Sequence, residues 1–119
     1  MDYKIIQTIL ADSRQARQRG DWFKLITNSE ALLEYLTPII DWEVEKESCY
    51  RKFEANLANK KDENGKLFSG SYCETQAKAT DDYKEYRRAM LVREQMYEII
   101  QVSKKLAGSL DQEIKAQKR

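Results

Sequence analysis

Cations and aromatic residues alternate through the middle of the chain. Tyr50-Arg51-Lys52-Phe53 leads to Lys60 and Lys61, then to Lys66, Phe68, Tyr72 and Lys78, with Arg87 and Arg88 one to two helical turns beyond Tyr83. Single-stranded nucleic acid is recognised by this mixture. Cations track the phosphates, and aromatic faces stack on bases at about 1–3 kcal/mol each. A plainer reading of the same residues stays open: Tyr50, Phe53, Tyr83 and Tyr86 form core, and the lysines solvate a loop that also holds Asp62 and Glu63. The formal net charge is +1, unevenly placed: residues 1–45 carry 5 basic and 8 acidic groups, residues 46–119 carry 16 and 12. An anion-binding surface therefore belongs to the later part of the chain, which leaves the first part for packing or protein contacts.

Few other residues are arranged for chemistry. There is no histidine, which removes the commonest general base and the commonest metal ligand. Cys49 and Cys73 are too few for a zinc site and do not make a disulfide framework; as free thiols in a reducing compartment they act as small apolar groups, although a bridge across a hairpin is open on sequence grounds. Gly65 and Gly70 stand alone, so no phosphate-binding loop is present, and Ser69-Gly70-Ser71 is not a nucleophile elbow. Glu30 with Glu34, and Asp41 with Glu45, are i,i+4 carboxylate pairs of the type that holds magnesium in helical nucleotide pyrophosphatases. They stand on opposite sides of Pro38, and only Asp81-Asp82 follows, so they read as solvated helix faces. The expectation is a protein that is not an enzyme and needs no cofactor or metal.

These residues must be positioned by helices. With 41% hydrophobic and 34% charged residues, four glycines and one proline, the 119-residue chain has too little turn punctuation for a sheet-rich fold and fits one all-α domain, 1–119. No stretch is apolar enough to span a bilayer, and Met1-Asp2-Tyr3-Lys4 does not begin a secretory signal, so the expected setting is cytoplasmic, with no membrane partner.

Ile5, Ile6, Ile9, Leu10 and Ala16 predict a first helix over about 2–19, ended by Gly20. Asp21 is a candidate N-cap for a second over about 21–37, where Trp22, Leu25, Ile26, Ser29, Leu32, Leu33 and Leu36 recur at three and four. At Thr37-Pro38 the chain starts a third helix, about 38–60, or kinks one longer rod. Asn59 through Gly65 ends it, and about 61–70 is a turn or mobile loop. Ser71-Tyr72-Cys73-Glu74 has the form of a capping box opening a long helix over about 71–116.

In that last helix Tyr86, Ala89, Arg93, Met96, Ile100, Ser103, Ala107, Leu110 and Ile114 alternate three and four apart, flanked by Tyr83, Met90 and Tyr97. The expected architecture is a helical bundle built on a long antiparallel helical hairpin, with a short N-terminal helix packed beside it. The part of the seam beyond the hairpin invites self-association, with Met96, Ile100, Leu110 and Ile114 as the expected oligomer interface.

The order of these features, from a charged helix ending in Tyr50-Arg51-Lys52, through a Gly-containing loop and Ser71 to Thr80, to Asp82-Tyr83-Lys84-Glu85-Tyr86 and a long heptad helix, resembles small helical proteins of tailed phages, including UvsY-like recombination mediators. The likeness covers roughly residues 39–114 and lies in pattern and order. It implies a ring-forming accessory protein that loads a recombinase onto single-stranded DNA. Arg51, Lys52, Lys60 and Lys61 would then bind DNA, and the heptad helix would join subunits. The nearly neutral charge departs from that pattern; a ring multiplies weak contacts through effective concentration.

The resulting expectation is a non-enzymatic homo-oligomer that binds single-stranded DNA through Arg51, Lys52, Lys60, Lys61, Lys66, Lys78, Arg87 and Arg88, serving recombination or replication beside a recombinase. The alternative is a helical adaptor or inhibitor, for example one directed against host defence, that binds a host protein and has no role with nucleic acid.

Overall fold

The computed structural model describes residues 1–117. Four helices stand among them: α1 (Lys4–Arg19), α2 (Trp22–Ala58), α3 (Gly70–Lys78) and α4 (Asp81–Gln117). The fold is an all-α helical bundle built on the antiparallel hairpin of α2 and α4, with α1 as the short N-terminal helix. The residues form two compact units, one of Met1–Ile39 with the chain from Val92 onward, the other of Ile40–Leu91.

In the first unit, α1 ends where the sequence predicts. Gly20 takes a left-handed φ of 71°, and the Asp21 amide reaches back to the Ala16 carbonyl at 2.9 Å, which closes the helix. The Asp21 carboxylate then accepts the Lys24 amide at 3.2 Å and caps α2. Ile6, Leu10, Ser13 and Ala16 of α1, Leu25, Leu32 and Ile39 of α2, and Val92, Met96, Ile99 and Ile100 of α4 are buried in the interior of this unit. Leu25, Leu32 and Ile39 are seven apart, so they fall on one face of α2. Two of the three buried serines in this layer are satisfied by backbone carbonyls: Ser13 donates to Ile9 at 2.7 Å, and Ser103 donates across to Leu25 at 3.2 Å. At the edge, Asp12 accepts from Asn28 at 2.8 Å and pairs with Lys24 at 3.2 Å; these contacts hold its carboxyl below the usual range.

Two segmentations are decided by the structure. Of the two readings of Thr37-Pro38, the single longer rod is the one formed: the segments 21–37 and 38–60 are one helix, since α2 runs unbroken through Pro38. Proline removes one amide and crowds the carbonyl of Glu34, but both residues are exposed, so water can take that carbonyl, while fully buried Leu32 and Ile39 hold the helix on either side. The segment 71–116 is two helices. Thr80 accepts the Tyr83 amide at 3.3 Å and donates to the Ala77 carbonyl at 2.6 Å, ending α3 and capping α4 at once. Lys78 lies in the last turn of α3 and Asp81 and Asp82 in the first turn of α4, each with the sign its helix end favours. The capping residue of α3 is Ser69, whose hydroxyl accepts the Tyr72 amide at 3.1 Å, and not the predicted Ser71.

The interior of the second unit is smaller: Tyr50, Cys73, Ala77 and Ala89 are buried. With three small side chains, it rests on one large one. Both cysteines are free thiols.

Candidate functional site

Tyr50 stands on α2 at the centre of the second unit. Its ring meets Tyr83 of α4 edge to face at 5.0 Å between centroids, and Tyr86 at 5.4 Å. The spacing of Tyr83 and Tyr86 by three places both on one side of α4, against the one large buried residue of the second unit. A cleft of about 340 Å³ opens over this cluster. Its floor is the three tyrosines; Arg51, Lys78 and Arg87 supply cations from α2, α3 and α4, and Glu54 and Glu74 supply carboxylates.

The cations are held differently. The Arg51 guanidinium bonds Glu47 at 3.0 Å and lies 5.2 Å from the Tyr50 ring centre, and the Glu47 contact raises its pKa further. Lys78 bonds Glu74 at 2.8 Å, which raises the lysine and lowers the glutamate. Both pairs are i,i+4 and open to solvent, so each holds weakly and yields readily to a stronger anion. Burial, reinforced by Glu47, raises the Tyr86 pKa.

The connection between α2 and α3 forms a second group. Asp62 accepts the amides of Asn64 and Lys66, each at 2.9 Å, and its own amide donates to the Lys66 carbonyl at 2.7 Å. Gly65 supplies the left-handed φ of 77° that this turn needs. The segment is thus a braced turn, closed by a bridge between Lys61 and Leu67. Just past it, Phe68 and half-exposed Tyr72 stack at 4.8 Å with their planes 22° apart. Lys61 and Phe68 line a hollow over the turn.

Of the eight predicted cations, Arg51, Lys78 and Arg87 thus share one cleft, and Lys60, Lys61 and Lys66 are exposed on or beside the turn. Lys52 is exposed on α2 outside the cleft lining, and Arg88 lies 4.0 Å from Glu85. Phe53, read as core on the plainer reading, is exposed, whereas Tyr50 is buried. The sequence reading missed Glu54 and Glu74 as cleft walls. Their position was legible: Glu74 is i−4 to Lys78, and Glu54 is i+3 to Arg51. It also missed the Phe68 and Tyr72 stack, signalled by their i,i+4 spacing across the Ser69 cap.

Of the four predicted oligomer contacts, Met96 and Ile100 are buried within the first unit, Met96 completely, while Ile100 also borders a groove with Ile26 and Leu33. Leu110 is half-buried and Ile114 exposed. The carboxylates Glu30, Glu34, Asp41 and Glu45 are all exposed on α2, and no group of three or more metal-ligating side chains converges among the described residues. Among the same residues no helix is long and apolar enough to cross a membrane. No family model matches this chain, and neither does any curated protein or solved structure.

Proposed function

We propose that the protein is a non-enzymatic accessory protein that binds single-stranded DNA on its second unit and thereby assists recombination or replication, in the manner of the phage mediators its sequence resembles. The observation that carries this reading is the cleft in which Arg51, Lys78 and Arg87, from three different helices, surround three tyrosines. Phosphates would displace the exposed carboxylate partners of Arg51 and Lys78, and the stacked Phe68 and Tyr72 pair offers an aromatic face to an unpaired base. A duplex hides its bases in the stack and cannot use that face, so strand preference distinguishes this chemistry from plain attraction of charge. Residues 40–91 carry ten basic and eleven acidic groups, so the attraction is local to the cleft and turn and not a field of the whole unit.

Fluorescence anisotropy with labelled single- and double-stranded oligonucleotides at two salt concentrations tests the reading. The expected result is a salt-sensitive preference for the single strand. Absence of binding to either strand overturns it and favours the protein-binding alternative, for which Phe23, 81% exposed beside half-exposed Trp22, is the supporting observation.

A further inference from the structure

Going beyond the nucleic-acid reading and independent of it, the geometry points to a two-fold homodimer in which the last turns of α4 pair antiparallel with those of a second copy, and the Ile114 side chain of each copy enters a groove between α2 and α4 of the other. The end of α4 lacks cover within its own chain. Ser103 bonds the Leu25 carbonyl, so an antiparallel α2 that begins at Trp22 reaches only to about Leu106. From Ala107 to Gln117 every residue is exposed except half-buried Leu110, and the Lys115 ion pair with Asp111 at 3.2 Å lies within the helix itself. Eleven residues of helix without packing are marginal in water.

What covers this end is argued from its charges and from the groove beside it. Lys104 and Lys105 precede Asp111 and Glu113, so the segment is positive first and negative later, and an antiparallel copy of itself sets Lys104 opposite Asp111 on both sides of the axis. In that register Ala107 meets Leu110 of the other copy twice at the centre. Ile114 of each copy falls beside Ser103 of the other, where Ile26, Leu33, Ile100 and Ala107 border a groove of about 180 Å³. Leu33 is 49% and Ile114 52% exposed in the single chain, and the pairing would bury both. A parallel pair would place lysine against lysine, whereas the reciprocal antiparallel pair covers both helix ends and both grooves at once.

Sedimentation velocity of the full chain over a range of concentrations, with charge-swapped variants, tests the pairing. The wild type should sediment as a dimer. Ile114→Asp, at an exposed position that leaves the fold intact by circular dichroism, should raise the dimer Kd at least about tenfold. Lys104→Glu and Asp111→Lys should each weaken the dimer, and the double variant should restore it to within about threefold of wild type. A monomer at every concentration, a trimer or larger species, a dimer indifferent to Ile114→Asp, or a double variant no better than the singles would overturn the pairing.

Discussion

Met96 and Tyr86 carry opposite duties at the scale of single residues. Met96 has no exposed surface and fills the space between α1, α2 and α4, so Met96→Ala should cost about 2–5 kcal/mol in urea unfolding and leave the oligomeric state of the folded protein unchanged. Dissociation with no loss of stability would return this residue to an interface. Tyr86 is shifted upward by burial and by Glu47 from its ordinary value of 10.0. The folded protein then holds the phenol proton more tightly than the unfolded chain does. The stability this contributes is fully present below about pH 10 and is lost as pH rises through the folded value. Tyr86→Phe should therefore remove part of the alkaline fall in the urea midpoint, and an unchanged alkaline fall would show that the phenol does not sit in a desolvated cluster.

The elements explain why the sequence conveyed some boundaries and hid others. Gly20 and Asp21 were legible because a left-handed closure and an aspartate cap are written in two adjacent residues. The break at Ala79-Thr80 was not, because the apolar period passes through it; only the local signature of Lys78, Thr80, Asp81 and Asp82 marks it. At Pro38 the local rule argued for an end or a kink, and tertiary packing of Leu32 and Ile39 carried the helix across. Pro38→Ala restores the missing amide at an exposed position and should raise the unfolding free energy by about 1–3 kcal/mol. Equal or lower stability would mean that the proline is accommodated at no cost.

At the scale of the molecule, the two units differ in what holds them. The first has a layered aliphatic interior from three helices, and its period of seven in α2 and of three and four in α4 made most of it readable in advance. Tyr3, Val92 and Ile99 were the omissions: Tyr3 precedes the first helix, and Val92 and Ile99 lie on the flank of the seam. The second unit rests on Tyr50 and three small residues, so its aromatic and charged side chains stay near the surface, where they can meet a ligand. Eight cations could be named from the sequence, but that Arg51, Lys78 and Arg87 share one cleft emerges only in the tertiary structure, because they come from three helices with no common period.

That selection is tested most directly by the salt dependence of single-strand binding. Three cleft cations predict a slope of log affinity against log salt of roughly −2, and each lysine of the turn that takes part adds about −0.7. The paired variant Arg51→Gln with Arg87→Gln should make the slope shallower by about 1.4 while the helical circular dichroism signal is retained. A wild-type chain that binds with the same slope as the variant, or does not bind at all, would contradict the assignment of the cleft.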